Sequence, residues 1–550
     1  MRTFIFLLTI VISHSTLSQR NAELSRVDFL LQAYNKPDSP GFSIGIVENG
    51  QLIYSQGIGF ANIETGKENS GNGIFGVASI AKQFTAACAW SLIKEGRISL
   101  DDDIRKYIPE FPSYGKPILV RHILNHTTGI RNYHAIMELG GFDYDSQYHD
   151  NQTILDLACR QKGLNNLPGE KVIYGNTAYT LLAIIIERIT SQNLNEYAQN
   201  KIFRPLGMRH TFYHTDTTSV IPDKVAGYVL NGESFTPVSG NQTTYGAGSL
   251  CSSVEDLAIW SNVLNGSNPD FLDLTHFLTT AEKLPSGETA QYARGVMIDD
   301  YRNKRTVHHS GYGLGGQSQI IAVPQAGIAV IILTNLESID PSPLSYKIID
   351  LFLPVQDTES SKATQPFRHK RRDLKKFAGQ YKEQSSDMQM ELFIENDTLK
   401  ALGSLGSRPK ILVGVEKGKF VRAISPDVVY DLMPARNTNA DLIVYFGGTP
   451  FYFSRANFID AGSVDLSDFT GKYHSVELSV EYAVYVENGT LYLDYPNHSK
   501  IKLTPGQKDE FGNGQRVLYH FERNDEKEVV RLLLSAEGTV RNIEFLKKET

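Results

Sequence analysis

Cysteine is scarce in this chain: Cys88, Cys159 and Cys251 are the only three in 550 residues. They allow at most one disulfide, which excludes a disulfide-stapled scaffold, and they read as small apolar core residues. A basic excess is also missing. Lys and Arg number 54 against 61 Asp and Glu, a net charge of −7, so nothing favours nucleic acid or an anionic membrane surface as partner. Beyond the first residues there is no apolar run long enough for a membrane span. No G-x-S-x-G appears, which argues against an α/β-hydrolase. His122 and His126 have the spacing of zinc ligands on a helix but lack the H-E-x-x-H base and a third ligand, so neither a metal nor another cofactor is expected. Gly311 to Gly316 matches G-x-G-x-x-G, yet it follows a polar stretch, Asn303 to His308, and precedes a strand hairpin instead of a helix; a dinucleotide loop is rejected. Tryptophan is reduced to 2 residues, whereas Tyr and Phe number 27 each. Those two suit half-buried pleated surfaces and point to a large β content. The remaining composition, 41% hydrophobic and 21% charged, excludes disorder, collagen-like repeats and coiled coil as the main architecture.

Residues 1–18 read as a secretory signal. Arg2 supplies the charged start, Phe4 to Ile12 a short apolar run, and Thr16 and Ser18 the small residues before a cut at Gln19. The run is well below the ~20 residues of a span. The expectation is an exported protein, periplasmic or extracellular. Its mature chain would have 532 residues (550 − 18) and a charge of −8, since Arg2 leaves.

Three regions follow. Over 19–355, strand-like and helix-like periods alternate. Phe42–Val47 and Gln51–Tyr54 form a hairpin about Asn49-Gly50, whose positive φ suits a type I′ turn. Ser318–Val323 and Ile328–Leu333 form a second strand pair, and between these ends lie helical patterns at Lys82–Glu95, Ala178–Ile189 and Asn195–Phe203. A terminal sheet flanking a helical middle makes an α+β domain. Residues 356–372 are polar and end in Arg368, Lys370, Arg371 and Arg372; they read as a solvated linker. The third region repeats itself. D-L-K-K-F-A-G-Q-Y at 373–381 returns as D-L-S-D-F-T-G-K-Y at 465–473, and E-N-D-T-L at 395–399 as E-N-G-T-L at 487–491, both at an offset of 92. Two homologous units, 373–460 and 465–550, are therefore expected. Their short alternating strands, such as the hairpin within Glu481–Leu493, suggest small antiparallel β-barrels.

The chemistry centres on Ser79 and Lys82 in F-G-V-A-S-I-A-K-Q-F-T-A. An i, i+3 spacing at a helix start puts both side chains on one face. Serine needs a base in reach, and lysine can be that base when desolvation lowers its pKa. The helix start also offers free N–H groups to an oxyanion. Further along stand P-G-E-K-V-I-Y-G-N (168–176), L-N-H-T-T-G (124–129), F-R-P-L-G-M (203–208), G-A-G-S-L-C-S-S-V-E-D-L (246–257) and His309-Ser310-Gly311.

With P-G-F-S-I-G-I-V (40–47), these elements resemble the serine β-lactamase and DD-peptidase superfamily, in its class C-like branch, over about residues 26–340. The resemblance implies a β-lactamase/transpeptidase-like domain, an antiparallel sheet flanked by helices, ahead of the two barrels. It implies Ser79 as acylated nucleophile and Lys82 as its base. Tyr174 would relay a proton to the leaving group and help activate the deacylating water, and which of Lys82 and Tyr174 is the base stays open. Asn176 would hold the substrate amide, His309 would line the opposite wall, and the backbone N–H groups of Ser79 and Tyr312, which follows Gly311, would form the oxyanion hole. Tyr133, His134, Phe142, Tyr144 and Tyr148 are candidates for the cleft rim.

His309 stands where relatives carry the lysine of K-T-G. Imidazole is mostly uncharged near neutrality, so attraction for a substrate carboxylate weakens. This disfavours β-lactamase action and favours esterase or peptidase action. A class C-like domain followed by two small β-barrels resembles the D-aminopeptidase architecture, in which a loop from an appended barrel limits access to the cleft. The expected function is a secreted serine hydrolase cleaving small amides, D-amino-acid peptides or esters through an acyl-enzyme. Peptidoglycan-derived fragments are among its candidate substrates. The alternative is a sensor or cell-wall-binding module of the penicilloyl type that acylates without turnover.

Overall fold

The computed structural model describes residues 20–548 except 145, 217–220, 223, 288, 354–366, 385, 387, 404–408, 424–427, 436–437, 447–448 and 457–463. The expected signal and most of the expected linker lie outside the described residues.

The first domain is built on a six-stranded antiparallel sheet. Its order is Met297–Tyr301, Lys304–Gly313, Gly316–Val323, Ile328–Thr334, Phe42–Glu48, Gln51–Ile58. The first strand of the chain thus lies beside the last of the domain, Phe42 opposite Thr334 and Glu48 opposite Ile328. Both faces of the sheet are covered, which is why its central strands read as unbroken apolar runs. Period-two alternation divides them. Ile44, Ile46, Ile321, Val323, Val330 and Ile332 pack with helix 20–31 and helix Ser342–Phe352 on one side. Ile320, Ala322, Ala329, Ile331 and Leu333 join the larger core on the other, with helices Ala81–Lys94, Asn176–Thr190 and Val254–Leu264. Gly45 is required where that last helix crosses: a Cβ there would stand 2.4 Å from Val254 Cγ1.

One expectation about the sheet needs correction. Asn303–His308 reads as polar, but Lys304–Gly313 is a strand with Thr306, Val307, His308 and His309 buried. The polar side chains are paired inside: Thr306 Oγ1 donates to Asp299 O at 3.0 Å and His308 Nε2 meets Asp299 at 2.7 Å. The strand still opens into a hairpin with Gly316–Val323, and no helix follows the glycines.

The C-terminal region forms two closed antiparallel barrels of eight strands each. The shared D-L-x-x-F-x-G-x-Y motif is the entry to each. The Tyr381 hydroxyl donates to Phe377 O at 2.7 Å, and the Tyr473 hydroxyl donates to Phe469 O at 2.8 Å. The intervening glycines, Gly379 and Gly471, hold φ of 147° and 138°, a region that only glycine enters readily. Ahead of the first motif, Phe367 donates its N–H to Gly414 O at 2.8 Å and His369 stacks on Phe420 at 4.4 Å, while the basic residues around them stay exposed.

The second barrel does not keep its core to itself. Tyr133, Ile136, Met137, Leu139, Ile154 and Leu157 of the first domain share one apolar cluster with Phe469, Tyr482, Leu534, Ile543 and Phe545. Tyr133 is therefore a core residue and not part of a cleft rim. All three cysteines are free, Cys88 and Cys251 buried and Cys159 half-buried. Among the described residues, no helix is long and apolar enough to cross a membrane.

Phe84 is fully buried in the larger core, its ring 4.3 Å from Trp260 and 5.4 Å from Phe203. Phe84→Ala removes a fully buried aromatic ring and is expected to cost about 3–5 kcal/mol in chemical denaturation of the whole chain.

Candidate active site

Ser79 lies in a single 3-10 turn, Ala78–Ile80, that runs directly into helix Ala81–Lys94. Ala78 holds a φ of 46°, an unfavourable conformation for a residue with a Cβ, and it is the point where the chain swings from Val77 into the helix. The turn is clamped on both sides. Val77 donates to Leu250 O at 2.8 Å, and Ser318 Oγ donates to Val77 O at 2.9 Å. Gly311 lets the edge of the main sheet graze this turn: a Cβ there would sit 2.4 Å from Val77 O and 3.1 Å from Ser79 N.

Lys82 is completely buried. Its Nζ lies 3.1 Å from Ser79 Oγ, 2.8 Å from Asn176 Oδ1 and 2.9 Å from Ala247 O. Burial pushes its pKa well below the ordinary lysine value. Gly246, at φ 95°, makes the third contact possible, since a Cβ there would stand 2.7 Å from Tyr179 O. Asn176 is the first residue of helix Asn176–Thr190. Its backbone N–H has no intrahelical acceptor and donates to Asn132 Oδ1 at 3.0 Å.

Tyr174 precedes that helix. Its ring lies 4.8 Å from Lys82 Nζ, and the nearby Ser79 hydroxyl pulls its phenol pKa down. Desolvation outweighs that pull and drives the phenol pKa up, so Tyr174 keeps its proton. Behind it stands an aromatic cage. His126 packs 4.4 Å from Tyr174, 5.1 Å from Tyr179 and 4.4 Å from Tyr292. Burial, then the Lys82 charge, hold its pKa well below the ordinary histidine value.

His309 faces this cage, its ring 6.1 Å from Tyr174, while His308 turns to Asp299. The tautomer of His309 follows from its partners. Nδ1 lies 2.5 Å from Ser310 O, which can only accept, so Nδ1 carries the hydrogen; Nε2 then accepts from the Tyr292 hydroxyl at 3.0 Å. Burial, followed by the Lys82 charge, brings the pKa of His309 down to about 3. The ring is a neutral wall at physiological pH. Tyr312 exposes its side chain, and its hydroxyl bonds Glu337; this leaves its backbone N–H as the group that sequence reading assigned to the oxyanion.

The structure thus gathers Ser79, Lys82, Tyr174, Asn176, His309 and Gly311 around one point. The aromatic rim candidates divide. Tyr144 and Tyr148 are exposed, whereas Phe142 and His134 join a ring cluster with Tyr144. Sequence reading missed Tyr292, Asn132 and Ala247. Ala247 lay inside a quoted motif, but Tyr292 and Asn132 sit in segments with no signature. His126 was visible in L-N-H-T-T-G, without the role of backing Tyr174. Among the described residues, no group of three His, Cys, Asp or Glu is placed to hold a metal ion.

The family model described as Beta-lactamase matches residues 27–347, more than half of the chain. The chain belongs to the Beta-lactamase family. Residues 27–347 form its Beta-lactamase-family domain. A D-aminopeptidase of Brucella anthropi is 26% identical over 323 residues, 58% of this chain and 60% of that protein. Penicillin-binding protein 4* of Bacillus subtilis is 29% identical over 313 residues, 53% of this chain and 67% of that protein. The chain thus spans about three fifths to two thirds of the length of these relatives. The fold is shared with the octameric penicillin-binding protein homologue from Pyrococcus abyssi, at a TM-score of 0.56 and 24% identity, over 86% of this chain and 98% of that one.

Histidines that desolvation keeps neutral make stability depend on pH. An unfolded histidine titrates near 6.5, whereas His309 does so at about 3 and His134 at about 4 in the fold. Between these values the unfolded chain binds more protons, so stability is complete above about pH 6.5 and falls as pH drops toward 3. Denaturation midpoints measured from pH 7 to pH 4 should decline, and His309→Asn should decline less steeply than the wild type.

Proposed function

We propose that the protein is an exported serine hydrolase that cleaves small amides, peptides containing D-amino acids or esters through an acyl-enzyme on Ser79, with weak or no β-lactamase action. The observation that carries the reading is the environment of Lys82 Nζ. Asn176 Oδ1 and Ala247 O can only accept hydrogen bonds. A neutral amine has two N–H groups and one lone pair. With both N–H groups given to those carbonyls, the lone pair faces Ser79 Oγ at 3.1 Å. A buried lysine with a depressed pKa is neutral often enough to use it. Tyr174, by contrast, is held protonated. The two shifts therefore favour Lys82 as base and Tyr174 as proton relay.

In this scheme Lys82 takes the Ser79 proton as Oγ bonds to the substrate carbonyl carbon. The backbone N–H groups of Ser79 and Tyr312 receive the oxyanion. As the tetrahedral species collapses, the leaving amine or alkoxide takes a proton through Tyr174, and Lys82 returns to its neutral form. Water then attacks the ester on Ser79, Tyr174 assists its deprotonation, and the acid departs as Oγ regains its proton.

The substrate class is supported by the neutral His309 wall. Its Nε2 is occupied by Tyr292 and its charge is suppressed by burial, so it offers no cation to the carboxylate of a β-lactam or a C-terminal D-alanine. The similarity to a protein named D-aminopeptidase favours substrates with a D-residue. The signal-like residues 1–18 support export.

The test is a panel of nitrocefin, short p-nitrophenyl esters and D-alanine amide, with intact-protein mass spectrometry. Turnover of ester or amide without appreciable nitrocefin hydrolysis is expected, and Ser79→Ala should lower kcat about 10^4-fold or more. Unchanged turnover in Ser79→Ala would sink the mechanism. A stable Ser79 adduct with no product release would replace it with the sensor reading.

A further inference from the structure

The wall that carries Asn176 is bonded to the second barrel. Arg131 and Glu477 are each 3% exposed and pair at 2.5 Å. Arg131 also donates to Arg541 O at 2.7 Å, and Glu477 accepts from Lys162 N at 2.8 Å. One residue along, the Asn132 N–H donates to Thr539 O at 3.2 Å, and Asn165 Nδ2 donates to the same carbonyl at 2.7 Å. The Asn132 side chain meanwhile accepts from Asn176 N. Thr177 Oγ1 donates to Arg131 O and accepts from Tyr133 N, both at 2.8 Å. Residues 131–133 therefore lie between the barrel and the start of helix Asn176–Thr190, hydrogen-bonded to both. The Tyr482 hydroxyl extends the contact, donating to Leu139 O at 2.6 Å.

We propose that the second barrel is a positioning element for proton transfer at Ser79. The Arg131–Glu477 pair and the Thr539 carbonyl hold Asn132, Asn132 holds Asn176, and Asn176 aims the Lys82 lone pair. The inference rests on the reading of Lys82 as base of an acyl-enzyme reaction. Its physical basis is that two carbonyls alone orient the neutral amine. Ala247 O is fixed within the first domain. Asn176 Oδ1 belongs to a helix-starting residue whose N–H must find an acceptor outside the helix, and that acceptor stands on a segment the barrel grips. A buried ion pair is strongly disfavoured once either partner is lost, which makes the grip stiff. This role acts on the base itself and differs from a loop that restricts which substrates enter.

The test uses the full chain and a fluorophosphonate, which phosphonylates the reactive serine with loss of fluoride. Its labelling rate at Ser79 is measured across pH. Asn132→Ala is expected to label about 10- to 100-fold more slowly, with its acid limb moved to lower pH, because the Lys82 ammonium form loses a well-placed acceptor. Glu477→Asp and Arg131→Lys keep their charges and lose only reach or fork geometry. Each is expected to slow labelling and shift the limb in the same direction while melting cooperatively above the assay temperature. If Asn132→Ala matches the wild type, the proposal fails. It fails equally if both charge-preserving variants lower the melting temperature yet keep the wild-type rate and limb. A wild type that does not label at Ser79 removes the acyl-enzyme reading first, and this inference with it.

Discussion

A lysine amine taken completely out of water must give every N–H to an acceptor, and the rest of the site is arranged around that requirement. Lys82 meets two carbonyls and one hydroxyl. Each of these three partners reaches it through a local device. Gly246 brings Ala247 O against the helix that carries Tyr179. Asn132 caps the N–H of Asn176. The strained Ala78 turn and the absent side chain of Gly311 set Ser79 against the edge of the sheet. Desolvation that would be costly for an ammonium shifts the amine toward its neutral form.

The same low-polarity surroundings shape the opposite wall. Tyr174, Tyr179, Tyr292 and His126 enclose a volume in which a charged imidazole is disfavoured, and His309 is fixed as the neutral tautomer by a carbonyl on one nitrogen and a phenol on the other. The cleft thus pairs an amine with an imidazole, both of which burial shifts toward their neutral forms. A lysine in place of His309 would put a second cation close to Lys82 and disfavour its protonated form further. Protonation on the two sides of the cleft is coupled through one low-polarity environment.

The two barrels share a motif with one physical meaning: a tyrosine hydroxyl closing on the carbonyl four residues earlier, across a glycine at positive φ. They differ in what surrounds them. Lys382 of the first pairs with Glu510 of the second, and Lys171 of the catalytic domain sits 5.5 Å from the ring of Tyr452 in the first. The second has merged its core with helix Tyr133–Leu139 and buried an ion pair against the first domain. Apolar burial of that kind joins the units into a common structure, where a linker alone would leave them to move independently.

Local chemistry made much of this legible in advance. The unbroken apolar strands, the Asn49-Gly50 turn, the i, i+3 spacing of Ser79 and Lys82 and the 92-residue repeat all follow from residues near one another in the chain. They are governed by backbone preference and periodicity, which a linear reading can detect. The strand at Lys304–Gly313 was obscured because its polar side chains are paired inside the fold, and such partners leave no trace in hydropathy. Tyr292, Asn132, the tautomer of His309 and the grip of the second barrel on residues 131–133 depend on contacts between distant segments, Arg131 with Glu477 above all. The sequence by itself determined that the C-terminal region is a repeated pair of units and which groups are candidates for chemistry. Only the tertiary structure decided their protonation and aim, because both are set by burial and by acceptors brought in from elsewhere in the chain.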